Sequence, residues 1–380
     1  MNVNEMKFID VLREWPSARV QGLIRSATAS DVETALAASA DKGCYDPEHL
    51  AALLSPAAEP MLESMAQLSA HWTRQRFGRA IDFFAPLYCS NICCNGCRYC
   101  GFNTSIQGTV RCALTVDQAE TEALCLAQKG FGHILLVGGE DWKNTPPAYY
   151  AELTRRIRSR FASVNIEIYA VSLDEYRMLH EAGVDGMTMF QETYNPEVYK
   201  RYHPYGPKSN FENRIDAFER ASRAGMEFIG LGALLGINDW REEGFYLGLH
   251  ADYLQRRYWR DSVAISFPRM RHAKGGTPPE FPVSDANLVQ LMCALRCEFP
   301  DVTMTLSTRE LPGFREELVK LAVTKISAES KTNPGGYSHE NDDTPQFEIA
   351  DARTLPEVAA ALRTLDFDPV MKNWDASLVS

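Results

Sequence analysis

Short strand-like segments alternate with amphipathic helical segments over most of this 380-residue chain. Eight candidate strands lie at residues 82–90, 133–139, 164–172, 186–193, 227–236, 262–268, 302–307 and 322–328. Parallel strands need a crossover, usually a helix, so the alternation predicts an α/β fold with a parallel sheet. Eight such units over about 280 residues fit a TIM-type (β/α)8 barrel, whereas a doubly wound open sheet more often stops at five or six strands. Several helical segments end in glycine, at Gly130, Gly183 and Gly225, as helix C-termini often do.

The first 80 residues follow a different pattern. Leu, Ala and Met recur there at three- and four-residue spacings without a strand-like run, which predicts a helical N-terminal extension over 1–80 and a barrel over 81–380. The opening residues show no basic region followed by an apolar run, so we expect no secretory signal and a cytoplasmic location. The longest apolar stretch, residues 229–237, is far shorter than the ~20 residues that span a bilayer.

The charge balance limits the classes of partner. With 39 Lys and Arg against 50 Asp and Glu, the net charge is −11, which repels nucleic acid and anionic membranes. Two short basic runs, 155–158 and 256–260, could contact phosphate, but solvated helix faces explain them as well. We therefore expect neither nucleic acid nor membrane as a partner.

Four cysteines lie within eight positions directly after the first candidate strand. Cys93, Cys97 and Cys100 form a CxxxCxxC spacing, with Cys94 inside the first gap. A structural zinc takes four protein ligands, and a [4Fe–4S] cluster ordinarily takes four thiolates. Three thiolates would leave one iron open to a small molecule. A zinc site or an oxidation-sensing thiol cluster, with Cys89 or Cys94 as members, remains the alternative.

The cysteine spacing, with Tyr99 before its last member, resembles the radical S-adenosylmethionine (SAM) superfamily. In that superfamily the open iron chelates the amino and carboxylate groups of SAM. The second candidate strand ends in Gly138, Gly139 and Glu140, which is similar to the superfamily's GGE motif, whose backbone and acid meet the SAM ammonium group; a tight turn would explain the glycines alone. The resemblance implies a [4Fe–4S] cluster on the three cysteines, and SAM as the second cofactor.

Longer motifs narrow the resemblance. FQETYNPEVYKRYHPYGPKSNFENR (190–214), ISFPRMRHA (265–273), LSTRE (306–310) and TKISAESKTNPGGY (324–337) together resemble the 2-iminoacetate synthases, the tyrosine lyases of bacterial thiazole biosynthesis. The resemblance extends from about residue 80 to FDPVMKNWDASL (367–378) and implies a C-terminal biotin/thiamine-synthesis-associated region. One departure is Glu329 and Lys331, which stand where the family reads closer to A-G-S-R-T.

The related tyrosine lyases of [FeFe]-hydrogenase maturation share most of these motifs. They carry in addition a C-terminal cysteine set for a second cluster, on which their onward formation of carbon monoxide and cyanide depends. No cysteine follows Cys297 in this chain. The sequence therefore favours thiazole biosynthesis.

The resemblance implies a reaction. The reduced cluster splits SAM into methionine and a 5′-deoxyadenosyl radical, which takes a hydrogen from L-tyrosine; the Cα–Cβ bond then breaks to give 2-iminoacetate and 4-cresol. A donor such as flavodoxin or ferredoxin would supply electrons, and thiazole synthase would receive the imine. Two other hypotheses stay open: a radical SAM enzyme acting on another amino acid, such as tryptophan, and a non-catalytic iron–sulfur or zinc module.

The candidate SAM residues beyond the glycines follow the fourth strand. Glu192, with Gln191 beside it, suits the ribose hydroxyls, and Arg214 suits the SAM carboxylate through a charge-assisted pair. For each residue alone, a surface position would be an equally ordinary interpretation.

The candidate substrate residues are cations, because an amino acid carboxylate matches the planar fork of arginine. Arg309 with Ser307 follows the seventh strand, and Arg269 and Arg271 follow the sixth. Arg269 could instead form a structural pair with a barrel acid.

Overall fold

The computed structural model describes residues 6–42 and 45–372. A closed barrel is formed by the parallel strands β1 (Ala80–Ser90), β2 (His133–Gly138), β3 (Ser163–Glu167), β4 (Gly186–Thr188), β5 (Phe228–Gly232), β6 (Ser262–Ser266), β7 (Thr303–Leu306) and β8 (Lys325–Ser327). Each strand pairs with the next, and β1 pairs with both β2 and β8, which closes the sheet. The predicted TIM-type barrel is confirmed, and each predicted strand is found at its place.

Helices precede the barrel and follow its strands. Before β1 lie α1 (Phe8–Glu14), α2 (Ser17–Ser26), α3 (Ala29–Lys42), α4 (Pro47–Leu54) and α5 (Leu62–Phe77). After it come α6 (Val116–Gln128), α7 (Pro147–Ile157), α8 (Leu173–Glu181), α9 (Pro196–Tyr202), α10 (Phe211–Arg223), α11 (Trp240–Arg257), α12 (Asp285–Glu298), α13 (Phe314–Leu321) and α14 (Leu355–Thr364). Across 6–42 and 45–372, no helix has the length and apolar character that crossing a membrane requires.

Local sequence explains where the barrel helices begin and end. Thr115 and Ser172 cap α6 and α8, each accepting a hydrogen bond from the backbone N–H three residues further on. Gly130, Gly183 and Gly225 follow the ends of α6, α8 and α10 with φ of 99°, 102° and 98°. Because glycine adopts these left-handed angles at little cost, the predicted helix ends are confirmed.

The helices before β1 share the hydrophobic core of the barrel. Leu50 and Leu53 of α4 are fully buried in the same cluster as Leu291 of α12. The buried amide of Gln290 donates hydrogen bonds to the carbonyl oxygens of Leu53 and Ser55, at 3.0 and 2.9 Å. This segment therefore packs on the barrel wall through both apolar and polar contacts.

A ninth strand, β9 (Asp368–Val370), was not predicted. It pairs in parallel with the first residues of β1, Ala80 opposite Asp368, before β1 turns to β8 and β2. Three residues that include Pro369 give too short a pattern to be recognised as a strand. Residues 373–378 of the C-terminal motif lie outside the described residues.

The shared core gives a first prediction. Leu53→Ala should lower the free energy of unfolding by about 2–5 kcal/mol, because it leaves a cavity between α4 and the barrel. Guanidinium denaturation followed by circular dichroism measures this change. Leu311→Ala, at a side chain whose residue is 59% exposed, is the matched control and should stay within about 0.5 kcal/mol of the parent. An unchanged barrel transition in Leu53→Ala would show that the helices fold apart from the barrel.

Candidate active site at the carboxyl ends of the barrel strands

A cavity opens at the carboxyl ends of the strands, where the chemistry of such barrels takes place. Most of the predicted site residues line it: Cys93, Cys97, Tyr99, Cys100, Gly138, Gly139, Glu140, Glu192, Arg214, Arg271 and Arg309. We call it the cysteine cavity. Gln191, Arg269 and Ser307 do not line it.

The three thiols of the CxxxCxxC spacing reach this cavity from one loop after β1. Cys94, the fourth cysteine, is exposed and does not line it. Burial raises the pKa of Cys97 to about 11 and that of Cys100 to about 12, so these thiols would lose their protons only to a bound cation. Within the described residues, no three His, Cys, Asp or Glu side chains converge as a single metal ion would need. Three thiols on one loop that line the same cavity suit an iron–sulfur cluster, in which each thiolate binds a different iron.

Asn95 ties the cysteine loop to two neighbouring loops. Its side-chain amide donates to Oε2 of Glu140 at 2.7 Å, and its Oδ1 accepts from the backbone N–H of Lys208 at 2.9 Å. The backbone N–H of Cys94 also donates to the carbonyl oxygen of Glu140, at 3.1 Å. Asn95 was not among the predicted residues, and the only sequence signal was its position inside the cysteine motif.

The two glycines at the end of β2 allow neighbouring parts of the chain to pack closely against that strand. A Cβ on Gly139 would lie 2.3 Å from the carbonyl oxygen of Ile92 and 3.1 Å from Cβ of Cys93. A Cβ on Gly138 would lie 2.0 Å from the hydroxyl of Tyr150. The cysteine loop can therefore approach the end of β2 only because Gly139 lacks a side chain, and Tyr150 of α7 can pack there only because Gly138 lacks one.

Glu192 is a buried carboxylate held by two cations. Lys208 Nζ lies 2.7 Å and Arg214 Nη2 lies 3.6 Å from its Oε1. Burial alone would raise the pKa of Glu192, but the two cations outweigh it and hold that pKa below its usual value. Its φ of 72° is unusual for a residue with a side chain and costs about 1–3 kcal/mol, which the surrounding contacts must offset. Lys208 was not predicted, although it lies within the quoted 190–214 motif.

Contacts on both sides of Glu192 fix its position. Arg214 Nε donates to the carbonyl oxygen of Phe190 at 2.8 Å. The buried carboxylate of Glu243 accepts from the Thr193 hydroxyl at 2.5 Å and from the backbone N–H of Tyr194 at 3.0 Å. By contrast, Gln191 is buried away from the cysteine cavity, and its amide has no hydrogen-bond partner among the described residues.

Tyr99 lies in the wall of the cysteine cavity with its hydroxyl 2.8 Å from Nε2 of His203. Nδ1 of His203 lies 2.8 Å from the carbonyl oxygen of Tyr199 and donates to it, so Nε2 accepts from Tyr99. Burial lowers the pKa of His203 to about 3 and keeps the ring neutral. His203 therefore orients Tyr99.

The predicted substrate arginines separate into two kinds. Arg269 forms ion pairs with Glu310 and Asp285 and does not line the cysteine cavity. The structure therefore shows the second of its two predicted interpretations, a structural pair with a barrel acid. Arg271 lines the cavity and shares Glu310, at 3.0 Å. Arg309 has no carboxylate partner among the described residues. Its guanidinium carbon lies 3.4 Å from the centre of the Phe347 ring.

A second cavity, which we call the interior cavity, lies inside the barrel beneath the first. Ser307 lines it, together with mainly apolar and aromatic residues that include Phe84, Tyr88, Phe228 and Phe267. The two cavities share the lining residues Val137, Glu167, Phe190, Arg309 and Phe347. A small molecule with an apolar part can therefore extend from the cysteine cavity into the barrel.

The segment between β8 and α14 folds over the cysteine loop without regular secondary structure. Asn91 Nδ2 donates to the carbonyl oxygen of Thr344 at 3.1 Å, and the backbone N–H of Gly101 donates to that of Gln346 at 2.9 Å. The Tyr88 hydroxyl donates to Oε1 of Gln346 at 2.8 Å. We call residues 330–350 the covering segment.

The two departures from the family pattern lie outside both cavities. Glu329 forms an ion pair with Lys129 at 2.6 Å and accepts from the backbone N–H of Leu355 at 3.0 Å, so it fixes the start of α14. Lys331 is exposed. Neither side chain lines a cavity.

Comparison with known proteins agrees with this geometry. A family model of the radical SAM superfamily matches residues 87–246, and a model of the Biotin and Thiamin Synthesis associated domain matches residues 266–368. The chain is 39% identical over 368 residues to 2-iminoacetate synthase from Escherichia coli (strain K12), covering 96% of this chain and 95% of the relative. It is equally similar to 2-iminoacetate synthase from Salmonella typhimurium.

Solved structures with the same architecture include HydG, a maturase of the [FeFe]-hydrogenase. That crystal structure superimposes with a TM-score of 0.88 at 31% identity, covering 94% of this chain and 80% of the HydG chain. Methylornithine synthase (PylB) superimposes with a TM-score of 0.69 at 19% identity, which shows a shared fold.

The packing at Gly139 gives the second prediction. Gly139→Ala should push the cysteine loop away from β2, lower the free energy of unfolding by about 1–3 kcal/mol, and reduce the iron bound after anaerobic reconstitution. Iron analysis and denaturation measure the two effects. Gly22→Ala in α2 is the control, since no atom lies within 4 Å of the added Cβ, and it should be neutral or stabilising by about 0.5–1 kcal/mol. Full iron content in Gly139→Ala would contradict the tight packing.

Proposed function

We propose that this chain, which belongs to the 2-iminoacetate synthase family of radical SAM enzymes, cleaves the Cα–Cβ bond of L-tyrosine to 2-iminoacetate and 4-cresol. SAM is converted to 5′-deoxyadenosine and methionine, and the imine supplies the thiazole part of thiamine. One observation carries the proposal: a single cavity joins three thiols, a carboxylate held by two cations and an arginine free to bind a carboxylate. The near full-length similarity to 2-iminoacetate synthases agrees with it.

Cys93, Cys97 and Cys100 fit a [4Fe–4S] cluster with one open iron. They are grouped on one loop, and the bare glycine backbone of β2 lies directly against that loop. When bound, the cluster and SAM supply the radical that removes a hydrogen atom from tyrosine. The protein must hold both reactants together and exclude water.

The SAM-binding roles rest on the polar groups around the thiols. Glu192, ionised between its two cations, is proposed to accept hydrogen bonds from the ribose hydroxyls. Arg214 is proposed for the SAM carboxylate, and the Gly138–Glu140 backbone with the Glu140 carboxylate for the SAM ammonium group. Tyr99 borders the same space. The buried amide of Gln191 faces neither cavity and is left out of this set.

Arg309 is proposed to bind the tyrosine carboxylate. It stacks on Phe347, and its charge lacks a carboxylate partner within the described chain. Arg309 lines both cavities, Arg271 lines the cysteine cavity and Ser307 lines the interior cavity. Arg269 is assigned to the Glu310 pair instead.

Partners and location follow from the chemistry. An imine hydrolyses in water, so direct transfer to thiazole synthase is proposed, and a low-potential donor such as flavodoxin or ferredoxin is proposed to reduce the cluster. The need for an electron donor and the need for transfer of the imine to thiazole synthase are both consistent with a location in the reducing cytoplasm, which we also propose. We also propose that residues 1–80 are a helical extension and 81–380 the catalytic barrel.

A tyrosine lyase of the hydrogenase-maturation type is the second candidate, because HydG matches the structure over 94% of this chain. The two candidates share the first cleavage and differ in the fate of the imine. A tryptophan lyase would differ in the first cleavage.

The third prediction concerns the thiols. Cys93→Ala, Cys97→Ala and Cys100→Ala should each abolish cluster assembly and SAM cleavage, because each removes one of three required thiolates. Cys94→Ala is the control and should retain both, since its thiol lies outside the cysteine cavity. Iron and sulfide analysis, the visible spectrum and 5′-deoxyadenosine formation measure the outcome. Equal damage in Cys94→Ala and Cys97→Ala would overturn the ligand assignment.

The fourth prediction concerns the products. The 380-residue chain, reconstituted anaerobically and reduced, should bind one [4Fe–4S] cluster and convert SAM and tyrosine to 5′-deoxyadenosine, 4-cresol and glyoxylate, the last by hydrolysis of the imine. Liquid chromatography with mass spectrometry measures these products. Cyanide or carbon monoxide formed in step with cresol would favour the hydrogenase-maturation type. Products from tryptophan, with none from tyrosine, would overturn the proposed substrate.

A further inference from the structure

Glu167, the last residue of β3, lies where the cysteine cavity and the interior cavity meet. Its side chain lines both cavities. Within the described part of the chain, no group is hydrogen-bonded or ion-paired to its carboxyl; only longer-range charges act on it. The residue is half-buried. Since a largely enclosed charge without a partner is costly, such a group in a cavity wall is best explained by a ligand that pairs with it.

Arg309 is the only other charged residue that the two cavities share. The remaining shared residues, Val137, Phe190 and Phe347, are apolar. The junction thus presents one anion and one cation, neither with an ion-pair partner in the described chain, across an apolar passage. An α-amino acid has the complementary charges, a carboxylate and an ammonium group on the same carbon.

The interior cavity completes this complementarity. Phe84, Tyr88, Phe228 and Phe267 provide aromatic surface there, and Ser307 and Thr188 provide hydroxyl groups. An aromatic side chain placed among them would keep its α-carbon at the junction, next to the space that the thiols line. The reacting bond of tyrosine would then lie between the two cavities.

We propose that Glu167 binds the α-ammonium group of the amino acid substrate opposite Arg309 and accepts one proton from it before the bond is cleaved. This inference rests on the proposed function. In the step, one N–H bond breaks and one carboxyl O–H bond forms, the electron pair stays on nitrogen, and nothing is oxidised or reduced. Tyrosine enters with three N–H bonds, and 2-iminoacetate, whose imine nitrogen is neutral, keeps one. One of the two lost hydrogens leaves as the hydrogen atom taken by the radical and the other leaves as a proton, so the reaction requires a proton acceptor.

The environment of Glu167 suits proton transfer. Burial, together with the negative charge of Glu192, raises the pKa of Glu167 to about 7, although the charges of Arg309, Lys208 and Arg214 act in the opposite direction. A carboxyl with this pKa is much closer to an α-amino group than an ordinary glutamate is, so the transfer costs less. Glu192, in the same cavity, is kept ionised by its cations and is unsuited to hold a proton.

Ligand binding to the reconstituted protein with SAM, in the absence of a reductant, tests the ammonium contact. The probes are tyrosine, tyramine (no carboxylate) and 3-(4-hydroxyphenyl)propanoate (no ammonium), measured by equilibrium dialysis. Glu167→Gln should weaken the binding of tyrosine and of tyramine by about tenfold or more and leave the binding of the propanoate unchanged. Arg309→Gln should weaken the binding of tyrosine and of the propanoate and leave the binding of tyramine unchanged. Glu181→Gln, at an exposed glutamate of α8, is the control and should bind all three as the parent does.

Steady-state kinetics test the proton transfer. Glu167→Gln should lower kcat at saturating tyrosine as well as raise KM, because an amide cannot accept the proton, and Glu167→Asp should restore part of kcat. A raised KM with unchanged kcat would overturn the proton step, and equal tyrosine affinity in Glu167→Gln and the parent would overturn the whole inference. These results differ from failure of the proposed function, in which the unmodified protein itself neither binds nor cleaves tyrosine. Iron content and circular dichroism equal to the parent show that a variant is folded.

Discussion

The side chain of Asn95 holds the candidate site together. With one amide it joins the cysteine loop after β1 to Glu140 after β2 and to the backbone of Lys208 after β4. The residue is buried, so both contacts are protected from water, and a buried amide left without its partners would cost about 1–3 kcal/mol. Asn95 therefore fixes the relative position of two loops. One carries the three thiols, and the other places the Lys208 cation beside Glu192. The bare backbone of Gly139 makes room for the cysteine loop beside β2.

The pKa values of two carboxyl groups in the same cavity are shifted in opposite directions by their surroundings. Glu192 has cations from Lys208 and Arg214 within ion-pair distance, and its pKa falls. Glu167 is half-buried and its cations act only from further away, so the effect of burial dominates and its pKa rises to about 7. One barrel mouth thus contains an acid that stays charged and an acid that can take up a proton. Such divergence of paired acids is typical of catalytic sites.

The sequence predicted the barrel because its strands are buried on both faces and read as apolar runs at regular intervals. It also predicted the three thiols, since they lie on one short loop whose spacing alone limits their positions. It did not predict β9, whose three residues pair only because β1 is longer than its neighbours. The sequence also did not predict the direction of side chains in the loops after the strands. Arg269 and Arg271 are two residues apart, yet only Arg271 lines the cysteine cavity. Glu167 gave no signal, because its unpartnered state depends on the whole cavity wall.

The covering segment has a consequence for the order in which this protein is made. The cysteine loop is complete once residue 100 has been synthesised, but its contacts with Thr344 and Gln346 form only after almost the entire chain has left the ribosome. Until then the thiols lie on a partly formed barrel without their cover. The finished site therefore exists only after almost all of the chain has been synthesised. A cell that makes this enzyme must keep three neighbouring thiols reduced throughout its synthesis.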